Sequence, residues 1–252
     1  MLTNIMTDPF SLKDKRALVT GASSGLGPVM ARHLDAAGAS VTVHYRHNQA
    51  GAESLVTTLD NPADLVQADL NQPDSVVALF DRAAPVDILV NCAAAESQNV
   101  ADLDTLDSSR WRSTQQTNVE APLLLIQQLA AQSRPATVIN ISSIEGSRPA
   151  PGHGHYSTSK AALEMLTKSA ALEFGHLGIR VNAVAPGLIW RDGIESSWPE
   201  GVNAWNEAAP LGRLVTPDNI ASAVVFLSSE AAASITGTVL TIDCGLSVKS
   251  GW

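Results

Sequence analysis

Two side chains near the middle of the chain have the types and spacing of a proton-transfer pair. Tyr156 and Lys160 lie four residues apart in an Ala-rich segment of helical character, so both fall on one helix face about a turn apart. A cation at about 4 Å, with an effective dielectric of about 20, contributes ~4 kcal/mol, which is roughly the cost of moving a tyrosine pKa from about 10 to neutrality. The pair is therefore a candidate acid and base tuned by Lys160. The simpler alternative is a packed tyrosine beside a solvated lysine.

Ser143 is a candidate third member of this site. It stands thirteen residues before Tyr156, at the end of the apolar, β-branched run that begins at Val138 and is typical of a strand. A hydroxyl there could donate a hydrogen bond to the same substrate oxygen as the phenol. The sequence thus predicts a strand and a helix, joined by a loop rich in Gly and Pro, that hold three reactive groups together.

Strand and helix patterns alternate along the whole chain, which predicts how these groups are positioned. Near-continuous apolar strands in such an order indicate a Rossmann-type α/β fold, with a parallel sheet covered by helices on both faces and a ligand crevice at the carboxyl ends of the strands. We expect one domain over residues 11–252, a loosely held arm over residues 1–10, and an irregular stretch over 186–214 that serves as a lid at about 187–214. The strand patterns cover residues 17–20, 40–45, 64–68, 86–90, 137–141, 180–185 and 239–242, and the helix patterns cover 29–37, 49–59, 73–83, 108–132, 155–174 and 217–228.

The bulk composition excludes several classes of protein. A net charge of -9 and a pI of about 5.0 argue against nucleic acid or an anionic membrane as partner. Cys92 and Cys244 are the only two cysteines and have no metal-ligand spacing, so neither a disulfide framework nor a zinc site is expected. His153 and His155 resemble a metal-binding pair but have no third ligand in reach, so no metal is predicted. No apolar run approaches the ~18 residues of a membrane span, and we expect a cytoplasmic protein.

A glycine-rich turn follows the first strand and opens the first helix. It reads Thr20-Gly21-Ala22-Ser23-Ser24-Gly25-Leu26-Gly27, and its three glycines allow a tight turn and a close approach of the backbone to a ligand. A helix N-terminus there presents N–H groups and a positive dipole end to a pyrophosphate. Such a turn can also be no more than a turn, but its position between the first strand and the first helix favours a dinucleotide.

The end of the second strand indicates which dinucleotide. It reads His44-Tyr45-Arg46, with no acidic residue to grip a ribose diol, and Arg46 stands nineteen positions after Gly27. An arginine at this point suits a 2′-phosphate, so NADP(H) is preferred over NAD(H); the alternative is a solvated charge at a strand end. Asp69, after the third strand, could accept a hydrogen bond from the adenine amino group or could simply open a helix.

Taken in order, these motifs resemble the short-chain dehydrogenase/reductase family over about residues 12–247. The resemblance implies a seven-stranded sheet in the order 3-2-1-4-5-6-7 and, commonly, a homotetramer, with a homodimer as the other possibility. It also implies that a Ser and a Tyr contact the substrate oxygen, that the Lys binds the nicotinamide ribose and lowers the Tyr pKa, and that an Asn positions a water that relays protons. The matching motifs are residues 20–27, Asn91-Cys92-Ala93-Ala94, Asn118, Ser143, Tyr156-x-x-x-Lys160, residues 182–187, 235–237 and 243–245.

Carried over residue by residue, the resemblance gives a catalytic set and a cofactor set. The catalytic set is Asn118, Ser143, Tyr156 and Lys160. The cofactor set is Gly21, Ser23, Ser24, Gly25, Leu26, Gly27, Tyr45, Arg46, Asp69, Leu70, Asn91, Ala93, Tyr156, Lys160, Pro186, Gly187 and Ile189.

The sequence departs from the family pattern at three places. The usual Asn-Asn-Ala-Gly reads Asn91-Cys92-Ala93-Ala94, the usual Thr five residues after Pro186 is Arg191, and the usual Gly-Gly near the end reads Cys244-Gly245. None of these changes removes a catalytic group. The His44-Tyr45-Arg46 motif also resembles the pteridine reductases of the same family, although those usually carry an Arg where Ser24 stands.

Candidate substrate contacts lie in the loop before Tyr156 and in the lid. These residues have charged, imidazole or aromatic side chains that could contact a small-molecule substrate. They are Glu145, His153, Trp190, Arg191 and Trp198, with Arg148 and Trp205 nearby. The tryptophans could equally pack the lid onto the body or form a subunit interface. The sequence therefore predicts an NADP(H)-dependent carbonyl reductase or alcohol dehydrogenase for a small ketone, keto ester or acyl-linked β-keto group. The alternatives are a pteridine-type or enone reductase and a non-catalytic nucleotide-sensing scaffold.

Overall fold

The computed structural model describes residues 8–95 and 100–248. Residues 1–7, most of the predicted N-terminal arm, lie outside the described residues. The described end of the arm contacts the body of the protein. The carbonyl oxygen of Pro9 accepts the N–H of Ala231 at 3.1 Å, and the ring of Phe10 lies 6.4 Å from that of Phe226.

Seven parallel strands form one sheet, as the family resemblance implied. Their order is β3-β2-β1-β4-β5-β6-β7, so β1 lies between β2 and β4 and the chain changes direction across the sheet at this point. Such a switch opens a crevice at the carboxyl ends of the strands. The strands are β1 Arg16–Val19, β2 Ser40–Tyr45, β3 Ala63–Gln67, β4 Ile88–Asn91, β5 Ala136–Ile141, β6 Ile179–Pro186 and β7 Val239–Ile242.

Helices cover both faces of the sheet because successive strand residues point to opposite sides. Val19 and Val90 belong to one buried cluster with residues of α1, α2 and α9, whereas Leu18 and Leu89 belong to a second cluster with residues of α3, α5 and α6. The helices are α1 Gly27–Ala36, α2 Gln49–Val56, α3 Pro73–Ala83, α4 Ser108–Gln115, α5 Ala121–Ala131, α6 Gly154–Phe174, α7 Ile194–Ser197, α8 Pro199–Ala208 and α9 Pro217–Ser228.

The long helical region predicted over about 108–132 is helical over 108–131, with a π-helical turn, Gln116–Glu120, between α4 and α5. One sequence prediction needs correction. The stretch predicted as irregular over 186–214 contains α7 and α8, which pack around a small buried cluster of Ile194, Val202 and Leu214. Short amphipathic helices were missed there because their apolar residues are too few to give a clear period.

Within the described ranges, no helix combines the length and the apolar character needed to cross a bilayer.

Candidate active site

The glycine-rich turn after β1 has no room for a side chain at two of its glycines. A Cβ on Gly27 would lie 2.2 Å from the carbonyl oxygen of Gly21, and a Cβ on Gly21 would lie 2.9 Å from Cα of Ala93. Gly25 is different, because its φ is +60° and a Cβ there would meet nothing within 4 Å. The turn is therefore packed against the protein at both ends and open at Gly25.

The open part of this turn fits a phosphate group. In the part of the chain that the structure describes, the backbone N–H groups of Gly25 and Leu26 have no protein acceptor. They precede the first turn of α1, whose dipole is positive at this end. Two free donors and a helix N-terminus are what a pyrophosphate needs, so the residues present fit a dinucleotide. The exposed Ser24 lies in the same turn.

His44 holds the turn to the ends of β2 and β3. Its Nδ1 accepts the N–H of Gly21 at 3.0 Å, and its Nε2 lies 3.2 Å from the carbonyl oxygen of Ala68. A backbone N–H only donates and a carbonyl only accepts, so the ring is neutral, with its proton on Nε2. Burial lowers the pKa of His44 to about 4, which agrees with a neutral ring.

We expect acid to weaken the fold through His44. Its folded-state pKa of about 4 lies below the ~6.5 of an unfolded histidine, so the unfolded chain binds more protons and stability falls as pH drops through this window. Between about pH 7 and about pH 5 this group alone costs about 2 kcal/mol of unfolding free energy. Urea unfolding at both pH values measures the loss. His44→Gln should remove this part of the pH dependence and the exposed control His176→Gln should keep it; equal pH dependence in both variants would contradict the assignment.

The end of β2 presents a half-exposed guanidinium, as the sequence predicted. Arg46 pairs with Asp69, with 3.1 Å between Nη2 and Oδ2, and about half of the Arg46 side chain remains exposed. The loop that follows is tied to the glycine-rich turn, because Asn48 Nδ2 donates to the carbonyl oxygen of Ser23 at 2.8 Å. Arg46, Asp69 and Ser23 are thus brought to one end of the crevice.

Tyr156, Lys160 and Ser143 meet at the carboxyl end of β5. Tyr156 is 8% exposed and Lys160 is 2% exposed. Lys160 Nζ donates to the carbonyl oxygen of Ile141 at 2.7 Å and lies 5.5 Å from the centroid of the Tyr156 ring. A side-chain hydrogen bond from Ser143 lowers the pKa of Tyr156. The structure therefore brings together the phenol, the ammonium and the hydroxyl that the spacing predicted.

Burial dominates the ionisation of this group of side chains. It raises the pKa of Tyr156 above its ordinary value, the charge of Glu145 raises it further, and the Ser143 hydrogen bond only partly opposes them. Burial also lowers the pKa of Lys160 to about 8. The protein groups alone therefore do not produce the predicted lowering of the Tyr156 pKa by Lys160, because the desolvation of a phenolate is the larger effect.

Asn118 clamps the chain after β4 against α6. It lies in the π-helical turn and is 1% exposed. Its Oδ1 accepts the N–H of Ala95 at 2.7 Å, and its Nδ2 donates to the carbonyl oxygen of Ala95 at 3.2 Å and to Ser159 Oγ at 2.9 Å. Ser159 in turn donates to the carbonyl oxygen of Tyr156 at 2.7 Å. Both amide N–H groups are thus engaged by protein, and the side chain links two parts of the crevice wall.

The side chain of Asn91, like that of Asn118, makes hydrogen bonds within the protein. Its Nδ2 donates to Asn140 Oδ1 at 2.8 Å, and Asn140 Nδ2 donates to Thr167 Oγ1 at 2.9 Å on α6. The side chain is therefore directed into the sheet and the helix behind it. A cofactor contact at Asn91, if made as predicted, would use its main chain or its Oδ1, which has no hydrogen-bond partner among the described residues.

The other predicted cofactor contacts lie at the carboxyl ends of β2, β3, β4 and β6. Gly187 is restricted to glycine, because a Cβ would lie 2.4 Å from the ring of Trp205. Ile189 forms an isolated parallel bridge with Val215. The full group at this edge is Tyr45, Leu70, Ala93, Pro186, Gly187 and Ile189.

The chain is similar to known proteins over nearly its whole length. The family model described as enoyl-(acyl carrier protein) reductase matches residues 21–247. The chain is 35% identical over 254 residues to 3beta-hydroxysteroid dehydrogenase 1 of Eggerthella lenta, an alignment that covers 96% of this chain and 97% of that protein. The chain belongs to the short-chain dehydrogenase/reductase (SDR) family.

Two further SDR proteins give the same result. The cis-4-hydroxycyclohexanecarboxylate dehydrogenase of Sinomonas cyclohexanicum is 36% identical over 245 residues, which cover 92% of this chain and 96% of that one. The crystal structure of a 3-oxoacyl (acyl-carrier-protein) reductase from Agrobacterium tumefaciens, with NADP bound, has a TM-score of 0.87 and 29% identity, and the match covers 97% of this chain and 100% of that one. The protein is thus an SDR oxidoreductase by family, and several solved neighbours hold a nicotinamide dinucleotide.

The departures from the SDR pattern are accommodated locally. The N–H of Cys92 donates to Thr20 Oγ1 at 3.0 Å, and burial raises the pKa of its thiol to about 12, so it is uncharged at neutral pH. Cys244 has a φ of +56°, in the left-handed region that favours glycine, which explains why the SDR pattern has Gly there. Arg191 is exposed in the predicted lid segment.

Of the candidate substrate residues, Glu145 and His153 lie beside Tyr156. His153 Nδ1 is 3.1 Å from both carboxylate oxygens of Glu145, and its ring stands edge-on to the ring of Tyr156 with 6.4 Å between centroids. Arg148, from the same loop, instead donates to the carbonyl oxygen of Leu246 at 3.0 Å.

The tryptophans of the predicted lid have different environments. Trp205 packs the 187–214 segment, the predicted lid, onto the body, since it contacts Gly187 and its Nε1 donates to the carbonyl oxygen of Arg213 at 3.1 Å. Trp190 Nε1 donates to Glu195 at 3.2 Å within the lid, and Trp198 is half exposed at the start of α8. The substrate contacts predicted for Trp190, Arg191 and Trp198 stay predictions.

Sequence reasoning missed three side chains that shape this site. His44 and Ser159 fix the turn and the clamp described above, and Glu164 accepts a hydrogen bond from Ser142 at 2.8 Å, next to Ser143. The sequence shows only that each of these positions is polar, which does not indicate the partner. Among the described residues, no group of three or more His, Cys, Asp or Glu side chains is arranged to hold a metal.

Proposed function

We propose that the protein is an NADP(H)-dependent oxidoreductase that interconverts a carbonyl group and a secondary alcohol, with Tyr156 as general acid and base. The observation that carries this proposal is the meeting of a buried phenol, a buried lysine and a serine hydroxyl at the carboxyl end of β5. A protein that only binds a nucleotide has no use for this group of side chains.

The residues that would hold the cofactor lie along the same crevice. The N–H groups of Gly25 and Leu26 and the dipole of α1 would bind the pyrophosphate, and Arg46 would bind the 2′-phosphate. When bound, NADP(H) supplies or accepts the hydride. Lys160, held by the carbonyl oxygen of Ile141, would hydrogen-bond the ribose next to the nicotinamide.

Ser143 and Tyr156 would bind the substrate oxygen and manage its proton. Because burial raises the pKa of Tyr156, the phenol keeps its proton at neutral pH and can give it to the oxygen of a carbonyl as that carbon is reduced. Ser143 would donate a second hydrogen bond to the same oxygen, which stabilises the developing negative charge. Lys160, with a pKa near 8, can return a proton to Tyr156 after turnover.

An NADPH oxidation screen tests the proposal. The panel contains simple and cyclic ketones, β-keto thioesters and pterins, and the names of the relatives add a ketosteroid and 4-oxocyclohexanecarboxylate. We expect substrate-dependent loss of NADPH absorbance with at least one ketone or β-keto compound. Turnover of pterins alone would favour the pteridine-type alternative, and tight NADPH binding with no turnover of any member would favour a nucleotide-sensing scaffold. The homotetramer and the cytoplasmic location stay predictions; light scattering tests the first.

A further inference from the structure

A carboxylate lies close enough to Tyr156 to act on its ionisation and has no part in the proposed proton transfer. Glu145 stands two residues after Ser143, in the 3-10 turn Ile144–Gly146. Its carboxylate accepts from His153 Nδ1 at 3.1 Å and from Ser157 Oγ at 3.0 Å, which fixes it between the loop and the first turn of α6. Its side chain is 20% exposed and that of His153 is 19% exposed, so neither is closed off from solvent.

The hydrogen bonds determine what this cluster presents to a ligand. A carboxylate accepts only, so His153 Nδ1 carries a proton, and in the neutral ring Nε2 is then an acceptor. Within residues 8–95 and 100–248, His153 Nε2 has no protein partner. A neutral His153 therefore leaves the cluster with the negative charge of Glu145, and a protonated His153 at most cancels that charge. The charge of Glu145 is felt at the phenol, where it raises the pKa of Tyr156.

We propose that Glu145 is a specificity-determining residue that makes the crevice select uncharged carbonyl substrates over those with a carboxylate or phosphate next to the reacting carbon. The inference rests on the proposed function in one respect, namely that the reacting carbonyl lies against Tyr156. An anionic group attached to that carbon, or to the next one, would then lie near the Glu145 carboxylate, whose charge already acts on the phenol. Anions far from the reacting carbon would be unaffected.

The other charged groups near the site do not cancel this effect by contact. Lys160 donates to the carbonyl oxygen of Ile141, and Arg148 donates to that of Leu246. Arg191 is exposed in the predicted lid segment and is the cation that could receive a substrate anion instead. The hydrogen bond from His153 reduces the repulsion that Glu145 exerts on a substrate anion. We therefore expect only a roughly tenfold preference for an uncharged substrate over its anionic counterpart, equivalent to about 1.4 kcal/mol.

The experiment compares acetoacetate with methyl acetoacetate, which differ in the charge beside the same ketone. For each compound, kcat/KM with NADPH and, independently of turnover, the dissociation constant from the enzyme–NADPH complex by calorimetry are measured for the wild type and for Glu145→Gln. The amide keeps the size and one acceptor oxygen but removes the charge. Glu173→Gln, the same change at an exposed position near the far end of α6, is the matched control. Ser157→Ala removes one hydrogen bond to Glu145 and keeps its charge.

The wild type, Glu173→Gln and Ser157→Ala should prefer the ester about tenfold, and Glu145→Gln should bind both compounds alike. A wild-type preference for acetoacetate would overturn the inference and indicate Arg191 as an anion site. Equal preference in the wild type and Glu145→Gln, or binding of neither compound by either protein, would also overturn it. If the ester preference appears in binding but NADPH is never oxidised, the proposed reaction fails and the charge selection stands. Turnover of both compounds without a charge preference would support the proposed reaction and overturn the charge selection.

Discussion

Replacing Tyr156 with Phe should lower kcat for carbonyl reduction about 10³-fold and leave the dissociation constant of NADPH within about threefold of the wild-type value. The phenol oxygen is the proton donor in the proposed reaction. A serine hydroxyl such as that of Ser143 is a weaker acid than a phenol, and Lys160 Nζ is held by the carbonyl oxygen of Ile141 at 2.7 Å. The ring itself fills the same buried space as Phe. The loss should therefore appear in the chemical step, which single-turnover measurements with preformed enzyme–NADPH complex would follow.

A matched control for this variant lies on the same helix. Thr158→Ala removes a hydroxyl two residues further along α6, where Thr158 Oγ1 donates to the carbonyl oxygen of Gly154 at 2.7 Å and the side chain is exposed. This variant should keep the wild-type kcat. Undiminished reduction by Tyr156→Phe would refute the role of Tyr156 as the acid. A large rise in the NADPH dissociation constant would instead indicate that the phenol is chiefly a cofactor contact.

Replacing Arg46 with Glu should weaken NADPH binding by roughly 30- to 100-fold and NADH binding by no more than about threefold. The two cofactors differ only in the 2′-phosphate, and a charge-assisted hydrogen bond from a guanidinium to an anion contributes about 2 kcal/mol, to which the introduced negative charge adds repulsion. The lower figure allows for solvent screening, because about half of the Arg46 side chain is exposed and it already pairs with Asp69. Quenching of protein fluorescence by each cofactor gives both dissociation constants.

The control for Arg46 reverses an equal charge at the opposite end of the sheet. Arg82 is exposed in the last turn of α3, which leads into β4 at its amino end, so Arg82→Glu changes the net charge equally without approaching the crevice. We expect it to leave both dissociation constants unchanged. Similar losses of NADPH and NADH affinity in Arg46→Glu would remove Arg46 as the reason for cofactor preference, because the effect would then be one of general charge or folding.

The difference between the predicted and observed ionisation of Tyr156 has a clear physical origin. The four-residue spacing places Lys160 beside the ring, and the 5.5 Å contact is what that spacing predicts. The spacing does not reveal that the pair is almost fully buried or that Glu145 lies nearby, and these two features raise the pKa of Tyr156. The sign of a pKa shift depends on the sum of burial and surrounding charge, and both belong to the packed structure.

The same distinction applies to Asn118 and His44. The family motif indicates Asn118 and the sequence pattern indicates a helix there, but neither reveals the π-helical turn or the contacts of the amide with Ala95 and Ser159. His44 looked like part of a strand end that leads to Arg46. In the structure its ring accepts a hydrogen bond from the N–H of Gly21 and donates one to the carbonyl oxygen of Ala68. These two hydrogen bonds hold the glycine-rich turn in place.

The sequence by itself determined the parallel α/β architecture, the glycine-rich turn at the start of α1, and the placing of Tyr156 and Lys160 on one helix face. Each of these follows from local patterns. The apolar runs of the strands, the period of the helices and the conformations open to glycine each depend on a few neighbouring residues. Only the tertiary structure decided the Lys160 bond to Ile141, the clamp made by Asn118 and the pairing of Glu145 with His153. These contacts join elements far apart in the chain or set by loop geometry, and their energies come from burial and exact partner distance, which no local pattern contains.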